Sequence, residues 1–343
     1  MKFLRPSLIL LPLLASFAQA QVTTDPVGFV TLTVAGNGGS GQPAYTFTSI
    51  GMTNAVAYQS TTTSPGGSTT LTDANSTWAD NAYNGASGQI TSYVEITSGA
   101  AAGTTYDITA TTAGTHALTL SQPLSAGVAA GDSYKIRPHW TLASVFGATN
   151  QAGLSGGTSS TADTIQVFNN GGFVVYYYQT SGFGGTGWRQ SGAPFVDASS
   201  TVLYPDEGIL IARQQSSSVN ITISGAVKTG QTSLPVSSGY TFLGNAYAAA
   251  MTLASSNLYT GDANTGLAGG TSSTADQVMF WNGTGYNVYY YQTSGFGGTG
   301  WRLSGAPFTD ASTTSIPAGA ALFVKRTGSA FNWVSPQTPA SFN

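Results

Sequence analysis

The chain has 343 residues, of which 41% are hydrophobic, 11% are aromatic and only 7% are charged, with no cysteine and two histidines. Glu, Lys and Arg, which normally cover helix surfaces, are scarce, and this excludes a mainly helical protein. A formal net charge of -3 without a basic cluster excludes nucleic acid as a partner, and the lack of cysteine excludes disulfides and thiol chemistry.

The N-terminal residues have the features of a secretory signal peptide. Lys2 and Arg5 precede an apolar run over residues 8–14, and the Ala-Gln-Ala sequence that ends at Ala20 suits signal peptidase. We expect residues 1–20 to be removed and the mature protein to be exported to the cell surface, the extracellular medium or the periplasm. The apolar run is too short to span a bilayer and no second run follows, so no transmembrane helix is predicted after cleavage.

Residues 54–139 form a stretch with its own strand signals. Short β-rich runs cover residues 93–96, 106–108, 117–120 and 134–136, and Gly, Ala and Ser-rich turns separate them. A structureless loop of this length would be unusual. The pattern therefore predicts a small β module inserted into a larger unit.

The rest of the chain contains two copies of one unit. Residues 153–201 align without gaps on residues 266–314, with 36 identities in 49 positions. Upstream, residues 28–30 match 225–227 and residues 45–47 match 240–242 more weakly, whereas the predicted module has no counterpart. We predict a first unit from residues 21–53 plus 140–225 and a second from residues 226–343.

Hairpin signals occur at the same place in both copies. Residues 164–168 and 173–179 flank Asn-Asn-Gly-Gly, and residues 277–281 and 286–292 flank Asn-Gly-Thr-Gly. An Asn-Gly pair between apolar runs is a strong hairpin signal. Short strands joined by such turns predict an all-β fold of two tandem antiparallel β-sandwich-like units, the first carrying the inserted module.

Aromatic and Arg residues in the identical block YYYQTSGFGGTGWR are the best candidates for ligand contacts. They are Tyr176, Tyr178, Trp188 and Arg189, and their copies Tyr289, Tyr291, Trp301 and Arg302. Flat aromatic faces with nearby Gln and Arg donors suit sugar rings and other polymers. Packing is the favoured interpretation, however, because Tyr and Trp can support the Gly-rich loop while Arg stacks on Trp. A recent duplication would also explain the near-identity of the copies.

The repeated acids do not indicate a catalytic pair. Asp163 and Asp276, like Asp197 and Asp310, lie in Ser, Thr and Ala-rich contexts where Asp usually caps a turn. Asp206-Glu207 lies in a Pro-Asp-Glu-Gly turn that the second copy lacks, and we expect this turn to be solvated.

The other chemical candidates are also weak. His116 and His139 lack a Gly-x-Ser-x-Gly partner, and two histidines without cysteine disfavour zinc. The Asp262 turn has part of a calcium-loop pattern without its distal acid. We predict no catalytic residue, no metal and no cofactor.

The second copy resembles secreted bacterial β-sandwich modules. Residues 239–247 are similar to their G-x-N-L-x-G-N-P-Y opening, with Ala246 in place of Pro. Residues 281–289 are similar to W-N-x-x-x-Y-x-x-Y, and residues 316–324 to I-P-x-G-x-x-F-F-V. The resemblance implies exported surface proteins without catalytic activity.

Nearly the whole chain, over residues 22–335, resembles a secreted protein family found mainly in Verrucomicrobia. The motifs are DPVGFV from Asp25 and RPHWTL from Arg137. This resemblance implies export and supplies no activity.

These features together predict a non-catalytic secreted protein with a structural or surface-interaction role. Its expected partners are extracellular polysaccharide or other surface proteins. The alternative is a carbohydrate-binding protein that uses the eight repeated Tyr, Trp and Arg residues. A hydrolase is the least favoured possibility.

Overall fold

A computed structural model describes residues 25–85, 89–169 and 171–335 and confirms the all-β fold. The predicted signal peptide and the mature start at Gln21 lie outside the described residues, as does Asn170 in the first hairpin turn. Within the described residues the secondary structure consists of 26 strands and one five-residue helix. No helix among them is long and apolar enough to cross a membrane.

The strands follow the chain in three groups. The first group is β1 (Val27–Val34) and β2 (Ala44–Thr48), and the predicted module then forms β3 (Tyr58–Thr61), β4 (Thr70–Thr72), β5 (Ser92–Ile96), β6 (Thr105–Thr112), β7 (Ala117–Leu120) and β8 (Ser133–Pro138). The second group is β9 (Trp140–Thr141), helix α1 (Leu142–Phe146), β10 (Thr164–Asn169), β11 (Gly172–Gln179), β12 (Gly187–Gln190), β13 (Ala193–Asp197), β14 (Val202–Leu203), β15 (Ile209–Arg213) and β16 (Val219–Ala226). The third group is β17 (Thr232–Val236), β18 (Gly239–Gly244), β19 (Met251–Thr252), β20 (Gln277–Trp281), β21 (Tyr286–Gln292), β22 (Gly300–Leu303), β23 (Ala306–Asp310), β24 (Ser315–Ile316), β25 (Ala321–Arg326) and β26 (Phe331–Ser335).

Two six-stranded antiparallel sheets have the same strand order. The first runs β13-β12-β11-β10-β15-β2, and the second runs β23-β22-β21-β20-β25-β18. Each sheet is accompanied by two strand pairs, β1-β16 and β9-β14 in the first part of the chain and β17-β26 and β19-β24 in the second. We call these two parts the first unit and the second unit.

The two sheets pack against each other because their central strands are apolar on both faces. In β15, Ile209 and Ile211 point into the core of the first unit, while Leu210 points to the opposite face. There it meets Phe242 and Phe323 of the second unit, whose rings stack with centroids 4.4 Å apart. Phe47, Phe168, Phe173, Ala321 and Met279 complete this cluster. The units therefore share an aromatic interface.

The module formed by β3–β8 has a core of its own, and we call the point where the chain enters and leaves it the neck. Its sheet runs β3-β8-β5-β6-β7-β4. The Thr63 amide, just after β3, donates to the Thr72 carbonyl of β4 at 2.8 Å, so the two edges of the sheet meet. At the neck, Arg137 Nη1 lies 2.7 Å from the Asn54 carbonyl and Asn54 Nδ2 lies 3.2 Å from the Pro138 carbonyl. The chain thus enters and leaves the module at nearly the same point.

Candidate interaction surface

The repeated aromatic residues lie mainly inside the two units. Trp188 is only 1% exposed and Trp301 only 3%. Trp188 Nε1 donates to the Gly147 carbonyl at 2.8 Å, and the ring of Tyr178 meets Trp188 edge-on at 5.3 Å. Tyr176 is buried in the same core. These four side chains lie in the cores of the two units and offer no open platform.

The remaining two tyrosines of the second copy are only half-buried. Tyr291 stacks on Tyr259 with ring centroids 3.5 Å apart and meets Trp301 edge-on at 5.6 Å. Tyr289 packs against Phe280. Tyr291 is therefore covered by a neighbour, whereas Tyr289 keeps part of its surface open.

The repeated Arg residues hold the Gly-rich loop. Arg189 donates to the carbonyls of Trp188 at 2.9 Å and Gly184 at 2.8 Å. Arg302 makes the same two contacts, with Trp301 and Gly297, both at 2.8 Å. The sequence interpretation placed Arg on the Trp ring, but the structure shows it bonded to loop carbonyls instead.

The glutamine that follows each Tyr run is buried and completes this support. Gln179 Nε2 donates to the Phe183 carbonyl at 2.7 Å and the Gly185 carbonyl at 2.9 Å, while Tyr177 donates to its Oε1 at 2.9 Å. The second copy repeats the arrangement around Gln292. Since a buried Gln must find partners for its amide, its position before a Gly-rich loop was the available signal.

An edge bulge lies beside each loop. Gln190 pairs with Ala193 and Arg189 with Asp197, so residues 194–196 bulge from the sheet edge. The loop packs closely under this bulge, because a Cβ on Gly184 would lie 2.2 Å from the Pro194 carbonyl. Gly184 has a φ of +104°, which also favours glycine. The second copy has the same bulge at residues 307–309.

Loop and bulge together present two phenylalanines to solvent in each unit. Phe183 is 86% exposed and Phe195 72%, and their copies Phe296 and Phe308 are 87% and 75% exposed. We call Phe183 with Phe195, and Phe296 with Phe308, the aromatic tips. Their rings have no core to fill, yet the backbone that carries them is fixed by buried side chains.

The repeated acids have structural partners. Asp163 Oδ2 accepts from Arg213 Nη1 and from the Ser155 amide, both at 2.7 Å. Asp197 accepts from the Ser199 amide at 3.2 Å, and Asp310 from the Ser312 amide at 3.1 Å, which confirms turn capping there. Burial disfavours ionisation of Asp276, but the amides of Thr327 and Ala268, with Arg326, outweigh it and hold its pKa below the usual range.

Charged groups are concentrated where the module meets both units. The buried carboxylate of Glu95 accepts hydrogen bonds from Lys228, which lies between the units, and from Arg137 of β8 at 3.4 Å. Arg137 also pairs with Asp25, which Lys135 contacts at 2.6 Å. Every charge in this chain of ion pairs is neutralised by a protein partner.

His139 lies at the same junction. Its Nε2 is 2.9 Å from Asp107 Oδ1, and Tyr204 donates to Asp107 Oδ2 at 2.8 Å. Its Nδ1 has no hydrogen-bond partner among the described residues, and the ring lines a cavity of about 30 Å³. No group of three His, Cys, Asp or Glu able to hold a metal occurs among the described residues.

Asp206-Glu207, expected to be a solvated turn, is half-buried against the second unit. The Asp206 carbonyl accepts from the Gly244 amide at 2.8 Å, and Glu207 forms a β-bridge with Leu243. Burial raises the pKa of Glu207 to about 8, and the carboxylates of Asp206 and Asp107 add to the shift. Burial likewise raises the pKa of Asp206.

This raised pKa predicts a pH dependence of stability. Between pH 4.5 and about 8 the folded protein keeps a proton on Glu207 that the unfolded chain has lost, so stability falls as the pH rises through this window. We compare the free energy of unfolding of Glu207→Gln with that of the wild type. We expect the difference, variant minus wild type, to be about 2–4 kcal/mol larger at pH 8.5 than at pH 5. Urea unfolding at both pH values measures this, and parallel profiles would contradict it.

Comparison with known proteins adds no functional information. No family model, no curated protein and no solved structure matches the chain. The geometry described above is therefore the basis for a functional proposal.

Proposed function

We propose that this protein is an exported, non-catalytic interaction protein that contacts other surface molecules through its two aromatic tips. Export rests on the signal-peptide features of residues 1–20 and on the resemblance to secreted families. The non-catalytic role is supported by the ion pairs of the junction, in which Glu95, Lys228, Arg137 and Asp25 are paired with one another.

The observation that carries the proposal is the pattern of identity between the two copies. The seven consecutive exposed residues 180–186 are identical to the exposed residues 293–299. By contrast, the buried and half-buried residues 164–168 differ from residues 277–281 at all five positions. Loops normally vary more than the strands they connect. A recent duplication alone would have kept both segments, so the loop, together with the identical residues 176–179 and 187–189 that hold it, is under a requirement that residues 164–168 lack.

The tips have the composition of a contact surface. Each joins two exposed Phe rings to a loop of Ser, Thr and Gly without a charged side chain. Burying one such ring against a partner contributes about 1.5–3 kcal/mol, and a pinned loop loses little conformational entropy on binding. Two tips on one chain also permit avidity on a surface that offers repeated sites.

The test compares tip variants for binding to cells of the source organism. We expect Phe183→Ser with Phe296→Ser to reduce rebinding of the labelled mature protein to washed cells at least about tenfold. Each single variant should lose less, because one tip remains. The melting temperature should change little, since exposed side chains contribute little to stability.

The matched control is Thr186→Ala with Thr299→Ala, which changes exposed polar residues of the same loops. This variant should bind like the wild type. Equal binding by the Phe variants and the wild type, or equal losses in the Phe and Thr variants, would overturn the proposal.

A further inference from the structure

A second surface, separate from the aromatic tips, has the features of a ligand site. A groove of about 470 Å³ runs between strands β1 and β2 of the first unit and strands β20 and β21 of the second. Its volume lies within the range of small-molecule sites in proteins. The residues that matter for binding are Tyr45, Phe47, Trp281, Asn287 and Tyr289.

Aromatic rings form much of the groove wall. Trp281 stacks on Phe47 with ring centroids 5.2 Å apart, and Tyr45 meets Trp281 edge-on at 6.3 Å. Tyr45 is 43% exposed, and Tyr289 and Trp281 are half-buried, so the rings are held from behind and open in front. Rigid aromatic walls of this kind suit the apolar faces of sugar rings.

The polar groups of the groove have unused hydrogen-bonding capacity. Among the described residues, the hydroxyls of Tyr45 and Tyr289 and the Nδ2 of Asn287 make no hydrogen bond, while Asn287 Oδ1 accepts from Asn282 at 3.0 Å. The indole Nε1 of Trp281 is shielded from solvent and has no acceptor among the described residues, so a ligand in the groove does not reach it. Ligand hydroxyls would pair instead with the hydroxyls of Tyr45 and Tyr289 and with Asn287 Nδ2.

This groove differs in charge from the equivalent groove on the other side of the interface between the units. The counterpart contains Phe168, Tyr240 and Phe242 in equivalent strands, but it also contains Asp206 and Glu207. The groove at Trp281 has no acidic or basic side chain in its lining. A neutral lining fits a neutral ligand, whereas an anionic polymer would find no cation to pair with.

We propose that the groove lined by Tyr45, Trp281 and Tyr289 binds a segment of uncharged polysaccharide. Tyr289 is one of the eight residues for which the sequence suggested sugar contacts. In the groove its neighbours are Tyr45 and Trp281, and not the buried Trp188 or Trp301. The site combines both units, so neither unit alone would contain it. The proposal is independent of the aromatic tips.

Affinity electrophoresis of the mature protein through soluble neutral polysaccharides tests the proposal. The panel is β-glucan, mannan and xylan, with polygalacturonate as the anionic polymer. We expect retardation by at least one neutral polymer and none by polygalacturonate. Tyr45→Ala and Asn287→Ala should each weaken the binding by about tenfold, the usual loss for an anchor residue. Trp281→Phe introduces the residue that the first copy has at the equivalent position, Phe168. It should weaken the binding without unfolding the interface between the units.

The matched control is Tyr240→Ala, which removes the equivalent tyrosine from the acidic groove and should leave binding unchanged. Binding to no neutral polymer, binding to polygalacturonate alone, or equal losses in the Tyr45 and Tyr240 variants would overturn the proposal. The Phe183→Ser, Phe296→Ser variant should still bind the polysaccharide, which distinguishes this site from the tips.

Discussion

Replacing Glu95 by alanine is expected to lower the free energy of unfolding by about 3–5 kcal/mol, the range for breaking a buried ion pair by removing one partner. Its carboxylate accepts from Lys228 and Arg137, and all three side chains are buried. Burial opposes ionisation of Glu95, but these two cations outweigh it and hold its pKa below the usual 4.5. Its contribution is therefore present above pH 4.5 and is lost as the pH falls through the lowered pKa.

A second substitution, at Lys228, distinguishes the cost of leaving its charge unpaired from the cost of losing a contact. If the cost of Glu95→Ala arises from the stranded ammonium group, adding Lys228→Met should restore part of the stability, because Arg137 still has Asp25 as a partner. Urea unfolding of the two single variants and the double variant measures this. A loss below about 1 kcal/mol for Glu95→Ala would show that the junction is not held by these charges.

Replacing Trp188 by alanine should cost about 3–5 kcal/mol, the usual loss for deleting a buried Trp or Phe side chain. The ring fills the core between Phe146 and Tyr178, and its indole nitrogen bonds to the Gly147 carbonyl. Thermal and urea unfolding measure the loss, and Trp301→Ala should behave similarly in the second unit.

Phe183→Ala is the control for Trp188→Ala within the same segment. Both changes delete an aromatic ring, and the two positions are only five residues apart. Phe183 is exposed, so its replacement should change stability by no more than about 0.5 kcal/mol. Similar losses for both variants would mean that the loop is packed differently from the structure.

Local patterns predicted the strands well, because apolar alternation and turn chemistry act over a few residues. The hairpins flanking Asn-Gly appear as expected. The match of residues 28–30 to 225–227 misleads, however. Gly28 pairs with Gly225 across the β1-β16 ladder, and β17 takes the place of β1 in the second unit. Two strands that pair with each other have similar composition. A match of three residues therefore does not show whether two segments are paired strands or equivalent strands of two copies.

The candidate sites depend on contacts between distant segments and could not be read from either copy alone. Glu207 forms a β-bridge with Leu243 of the other unit, and Trp281 meets Tyr45 across more than two hundred residues. Both interpretations of the repeated block concerned its Tyr, Trp and Arg residues, and its tryptophans are buried. The exposed ring belongs to the Phe of the Gly-rich loop, which neither interpretation singled out.

The way each unit is closed by its first and last strands determines how it would respond to tension. Val27 lies opposite Ala226 in the β1-β16 ladder, and Thr232 lies opposite Ser335 in the β17-β26 ladder. Force transmitted along the chain therefore enters and leaves each unit at one end of an antiparallel ladder. It separates the hydrogen-bonded pairs in succession and does not shear them together. Under load the terminal strands would peel away first, so the protein would lengthen at low force while its six-stranded sheets, and the tips on their far edges, stay intact.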